Sequence, residues 1–303
     1  MALIKKEKEM PAKNHNTARE WFDTIFYGGL IAIIFRSLLL EPFNIPSGSM
    51  IPSLHVGDHI FVQKWTYGYS RYSFPFGSWN LWNGRFFTIK EPEIGDIIVF
   101  RKPNANIEYV KRLIGKPGDK IQMKNGRLYI NDKIVERTDP HPYVIARLPK
   151  SLRRVGFYKD DMSIKGNKIW IDNKPADFNY TIEYKPDDLC KAQPYECGVI
   201  KATEYTEILP NGVKHSIVEI TDNYPLDNTE AFVVPENHFF FMGDNRDNSA
   251  DSRTEAVSYV ARDNLLGRVW FIWYSHNYYS PMIAVWNWGD KMRWDRFGMG
   301  RKQ

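Results

Sequence analysis

The chain has 303 residues, 43% of them hydrophobic and 25% charged. That is enough to bury a sizeable core in one large or two smaller domains, and it excludes wholesale disorder. The formal charge of +5 comes from 41 Lys and Arg against 36 Asp and Glu. The basic residues are spread along the chain without a block, so no nucleic acid partner is expected, although anionic lipid is compatible with the charge.

Residues 1–20 are polar and carry Lys5, Lys6, Lys8, Lys13 and Arg19. Residues 21–40, from Trp21 to Leu40, are mostly apolar, with Asp23 and Arg36 towards the ends. Their length suits a membrane span of about 20 residues. The basic residues precede it, so the positive-inside rule puts 1–20 in the cytoplasm and everything beyond about 41 outside. A cleaved signal peptide or a buried amphipathic helix would share part of this layout.

Directly after this segment comes Pro46-Ser47-Gly48-Ser49-Met50-Ile51-Pro52-Ser53-Leu54. Beyond it the pattern is that of short strands: His59–Val62, Asp96–Phe100, Tyr109–Ile114, Lys120–Met123 and Arg127–Ile130. Turn signals separate them, and Asn125-Gly126 predicts a type I′ hairpin. Residues 124–234 are more polar and read as a smaller β-lobe inserted into a catalytic β-domain made of 41–123 and 235–303. Strand signals return at Ala231–Val234, His238–Met242 and Leu265–Trp273. The expected fold is therefore mainly β, with an N-terminal transmembrane helix and an antiparallel sheet or barrel. Cys190 and Cys197 are spaced for a disulfide across a short loop. With no CxxC and with scattered His residues, no metal or cofactor is expected. Two aromatic zones, Tyr72–Trp82 and the tail with Trp286, Trp288, Trp294 and Phe297, suit either core packing or a membrane interface.

Three polar islands could carry chemistry. Ser49 sits in a Gly/Pro-stiffened turn, and a serine hydroxyl needs a base to become a nucleophile. If the segment is extended, Ser47 shares its face, and its hydroxyl can join the Ser49 N–H in binding an oxyanion. Lys111 is flanked by Val110, Leu113 and Ile114. Burial there would lower its pKa from about 10.4 by the 2–3 pH units that a base near neutrality needs. The third island, Gly243 to Arg253, follows the apolar Phe239–Met242 and suits a loop that orients a catalytic side chain. Each also has a plainer reading: a Ser/Gly loop, a surface lysine beside Arg112, or a calcium loop.

Taken in order, Glu41–Met50, Gly95–Phe100, Tyr109–Lys120 and Met242–Arg253 resemble the motifs of bacterial type I signal peptidase, also called leader peptidase. The resemblance implies a Ser/Lys-dyad endopeptidase of the inner membrane that cleaves preproteins after Ala-x-Ala-like sites, with signal peptides and membrane phospholipid as partners and a monomeric state. It implies Ser49 as nucleophile and Lys111 as general base, with Ser47 and the Ser49 N–H as oxyanion hole. Ser249 would orient the Lys111 amine, with Asp251 and Arg253 bracing the site. Phe43, Ile45, Leu54, Val99, Tyr109 and Val110 would line shallow substrate pockets. A self-cleaving repressor-type Ser/Lys protease and an inactive anchored binding protein are the alternatives.

Overall fold

A computed structural model describes residues 17–74, 82–103, 105–147, 162–165, 168–171, 174–176, 198–222, 224–276 and 292–298. Helix α1 spans Thr17–Leu38. Trp21, Phe22, Ile25 and Phe26 are exposed along it, and Arg19–Leu38 is long and apolar enough to cross a membrane. The helix stops short of the expected boundary at 40 because Pro42 disfavours helical backbone at Glu41. Leu40 instead opens the first strand and pairs with Gln63.

In chain order the strands are β1 (Leu40–Asn44), β2 (Asp58–Gln63), β3 (Ile97–Arg101), β4 (Glu108–Gly115), β5 (Lys120–Lys124), β6 (Arg127–Ile130), β7 (Lys133–Ile134) and β8 (Glu136–Arg147). There follow β9 (Met162–Lys165), β10 (Lys168–Ile171), β11 (Lys174–Ala176), β12 (Gly198–Ile208), β13 (Lys214–Glu219), β14 (Phe232–Val233), β15 (His238–Met242), β16 (Val260–Ala261) and β17 (Leu265–Ser275). The main sheet runs β1-β2-β17-β3-β4-β15-β16, with every pair antiparallel. Its apolar strands match the expected runs, and the fold is mainly β as anticipated. The β5–β6 hairpin turns at Asn125 and Gly126, both with positive φ, as a type I′ turn requires. Residue 124, where the insert was expected to begin, is the last residue of β5 in that hairpin. Strands β8, β12 and β13 form one sheet of the insert, and β9 to β11 form another. Cys190, Cys197, Trp286 and Trp288 lie outside the described residues, while Trp294 and Phe297 are exposed.

Strands β3 and β15 are apolar nearly throughout because both of their faces are covered. Val99 joins a cluster with Ile45, Leu54, Ile60 and Ile272. Its neighbours Ile98 and Phe100 belong to a second cluster with Leu113 and Phe241. Phe240 and Met242 enter a third, with Ile114, Ile121 and Leu128. Burial of each such side chain contributes about 1.5–3 kcal/mol.

The turn after Ser49 is held from outside by the C-terminal segment. Arg296 Nη2 donates to Asp58 Oδ2 at 2.6 Å and to Ser53 O at 3.1 Å. Arg293 Nη2 donates to Val56 O at 2.7 Å. Burial opposes charge on Asp58, yet the Arg296 and Arg293 guanidiniums hold its carboxyl below the usual range. Asp58→Ala strands these cations in a buried site and should cost about 3–5 kcal/mol, read as a lower urea midpoint of the detergent-solubilised protein.

Candidate active site

Ser49 lies in a 3-10 turn, Gly48–Met50, closed by Ile51 N donating to Gly48 O at 3.2 Å. Ser47 just before it is extended, with φ −138 and ψ 151. The two serines are therefore not related by the strand alternation expected from the sequence, because the chain turns at Gly48. Ser49 is half-buried and Ser47 exposed.

Lys111 belongs to β4, directly opposite Ile98 of β3. Alternation along β4 puts it on the face of Tyr109 and Leu113, and the Tyr109 ring centroid is 5.3 Å from Nζ. The residue is 5% exposed. Its Nζ lies 2.6 Å from Ser49 Oγ and 3.0 Å from Val110 O. Burial lowers its pKa to about 8, with the Asp251 and Asp244 charges acting weakly the other way.

The Gly243–Arg253 island folds around this contact. Burial favours a neutral Asp251, but the Arg253 guanidinium, 2.9 Å away, and the Gly243 N–H hold its carboxyl below the usual range. Ser249 Oγ helps in this depression. It is buried and makes no well-formed hydrogen bond among the described residues, and Lys111 Nζ bonds Ser49 and Val110 instead. The expected Ser249–Lys111 bond is thus not formed here, because Ser249 faces Gly243 and the Asp251 side. The island's acidic groups face arginines or backbone N–H groups: Asp244 bonds Arg112, and Asp247 accepts from Ile220 N and Thr221 N.

Of the expected pocket residues, Ile45, Leu54 and Val99 are buried in one cluster, with Phe43 and Val110 packed half-exposed against it. Tyr109 stands apart on the opposite face of β4, against Phe100. Alternation separates it from Val110 and places it beside the lysine amine instead.

A family model described as "Signal peptidase, peptidase S26" matches residues 18–151 and 153–274. The chain belongs to this family. Signal peptidase I of Rickettsia akari is 36% identical over 284 residues, covering 90% of this chain and 86% of its own. That of Rickettsia prowazekii is 36% identical over 266 residues, covering 86% and 82%. That of Rickettsia canadensis is 38% identical over 264 residues, covering 86% and 82%. A solved signal peptidase I from Enterococcus faecalis aligns with 60% of this chain and 98% of its own at 22% identity. Its TM-score is 0.27, too slight a likeness to bear on the fold. As a family member the chain is a serine peptidase.

Three supports of the Ser49–Lys111 contact were not anticipated from the sequence. Asn245 donates from Nδ2 to Gly48 O at 3.0 Å and from its backbone N to Ser49 O at 3.2 Å, gripping the Gly48–Met50 turn. Arg112 is wholly buried and bidentate to Asp244, at 2.8 and 2.7 Å. It also reaches Gly95 O and Ser53 Oγ. Arg246 is paired with Glu207 of β12, which ties the Gly243–Arg253 loop to the sheet of β8, β12 and β13. The available signal was the arginine itself: one inside an apolar strand must find an anion. The sequence does not say which anion.

Gly243 lets the loop approach Ser49. A Cβ there would lie against the Ser249 side chain and 2.5 Å from Ser49 O. Gly243→Ala should push the Ser49 carbonyl away from Asn245 and lower kcat by about 100-fold, the scale of a 1 Å misplacement. Steady-state peptidase kinetics check this.

Proposed function

We propose that this chain is a membrane-anchored endopeptidase that removes N-terminal signal peptides from exported preproteins after small-x-small sites, using Ser49 as nucleophile and Lys111 as general base. The observation that carries the reading is the 2.6 Å contact between Lys111 Nζ and Ser49 Oγ in a buried, largely apolar site. A neutral amine there donates to Val110 O and turns its lone pair to the serine hydroxyl.

Lys111 takes the Ser49 proton as Oγ attacks the scissile carbonyl, and the ammonium then returns a proton to the leaving amine. The acyl-enzyme is hydrolysed by a water that Lys111 deprotonates in turn. The Ser47 hydroxyl and the Ser49 N–H bind the oxyanion, a role in which each donor is typically worth about 3–4 kcal/mol. Asp251 and Arg253 brace the loop. Ser249, a buried hydroxyl without a firm partner, completes the amine's surroundings when substrate excludes water. Phe43, Ile45, Leu54, Val99 and Val110 supply shallow apolar pockets suited to small side chains. Helix α1 is the anchor, with its basic N-terminal side in the cytoplasm and the β-domain on the outer face of the inner membrane, among phospholipid headgroups. The enzyme works as a monomer.

With a preprotein as substrate, Ser49→Ala and Lys111→Ala should each reduce N-terminal processing by about 10³-fold or more. Unimpaired cleavage by either variant would sink the dyad. The base must be neutral to act, so kcat/KM should rise with pH through a midpoint near 8 and level off above it. A profile flat from pH 6 to pH 9 would exclude Lys111 as the titrating base.

A further inference from the structure

The junction between α1 and the β-domain carries more side-chain ties than a flexible tether needs. Leu38 ends the helix and Leu40 already pairs with Gln63, so Leu39 alone connects the two elements. Arg36, in the last turn of α1, donates from Nε and Nη2 to Glu41 Oε1 at 2.9 and 2.8 Å. The other carboxylate oxygen of Glu41 pairs with Lys64 Nζ at 2.7 Å. Lys64 is buried and also donates to Ser73 O at 2.7 Å, and its backbone N donates to Leu39 O at 3.2 Å. Tyr69 makes a separate tie: its Oη donates at 2.6 Å to Leu38 O, a carbonyl at the helix end that no later turn can satisfy. Tyr69 is in turn held by a two-way backbone bridge with Phe86, at 2.9 and 3.1 Å. Ser37, between the tied residues, is buried.

An exposed ion pair such as Arg36–Glu41 is weak by itself. Its setting gives it a purpose, because Glu41 is anchored from the domain side by a buried lysine and Tyr69 reaches the same helix end from another part of the chain. With α1 as the anchor, the length of Arg19–Leu38 matches the hydrocarbon core and sets Leu38 at its outer edge. From there β1 advances about 16 Å over its five residues towards the Ser49 turn. A preprotein is held in two places, in the bilayer by its hydrophobic segment and in the site at its cut, and the residues between act as a linker. Effective concentration at the site falls to near zero when a linker is too short to span and is largest when it matches the span.

We infer that Glu41 is a positioning residue: with Arg36, Lys64 and Tyr69 it holds the Ser49 site at a set height above the span, and that height selects substrates by the number of residues between their hydrophobic segment and the cut. This rests on the signal-peptide reading above and adds a length rule that the dyad alone does not impose.

The test uses the full-length protein in phospholipid vesicles. One preprotein carries its natural spacer between hydrophobic segment and cut, and a second has that spacer shortened by two residues, about 7 Å. A short peptide with the same cut and no hydrophobic segment is the third substrate. The quantity read is the ratio of kcat/KM for the shortened over the natural spacer, which does not depend on the folded fraction. Arg36→Ala combined with Tyr69→Phe removes two ties and leaves the buried Glu41–Lys64 pair whole. This variant should raise the ratio by about 10-fold and cut the short peptide as the wild type does. Glu41→Ala should raise the ratio at least as far, and Arg36→Lys, which keeps the cation, should retain the wild-type ratio. An unchanged ratio in the double variant, or a wild type indifferent to spacer length, overturns the height rule while leaving the dyad intact. Wild-type protein that cuts none of the three substrates, with Ser49→Ala behaving identically, would overturn the signal-peptide reading as well.

Discussion

One buried amine sets the terms for the rest of the site. Lys111 is buried with its amine 2.6 Å from Ser49 Oγ, and the proposed role as a base near neutrality depends on that loss of water. Burial and charge act on it in opposite directions: desolvation lowers its pKa, and the Asp251 and Asp244 carboxylates raise it. The outcome near 8 requires those carboxylates to be occupied elsewhere. Each is: Asp251 faces Arg253 and Asp244 faces Arg112, both at ion-pair distance.

These pairs explain how a polar loop can sit behind a reactive lysine. Breaking a buried pair leaves an uncompensated charge and costs several kcal/mol, so the partners hold each other's backbones in register. Arg112 joins β4 to the Asp244 loop and to the Ser53 turn. Arg296 joins that same turn to Asp58 from the C-terminal side. The stretch after Ser49 is thus clamped between two ion pairs whose partners come from four separate parts of the chain. Asn245 supplies the direct grip on the Gly48–Met50 turn.

The insert and the helix are tied in by the same device. Val218 N donates to Asp244 O at 2.8 Å, and Glu207 pairs with Arg246, so β12 and β13 buttress the Gly243–Arg253 loop. At the other end, Glu41 accepts from Arg36 of α1 at 2.8 Å and from Lys64 of β2 at 2.7 Å. The end of the helix is therefore joined through Glu41 to the strand that leads towards Ser49.

Local order was plain in the chain itself. The apolar runs, the Asn125-Gly126 turn and the apolar helix before Pro42 depend on backbone preferences and burial patterns within a few residues, and the described elements follow them. Ser49 and Lys111 were also legible, because four motifs in family order surround them. What the linear pattern left open were relations across the fold: that Gly48 turns the chain between Ser47 and Ser49, that Tyr109 faces away from Val110's pocket, and that Ser249 does not bond the amine. The same holds for Arg112 with Asp244, 132 residues apart, and for Tyr69 with Leu38. A buried charge announces that it needs a partner, but the identity of that partner is fixed only when the sheet brings distant strands together. The sequence by itself determined which residues could react and where the strands run; tertiary structure decided how those residues face one another, because pairing and desolvation are properties of the packed chain and not of any segment.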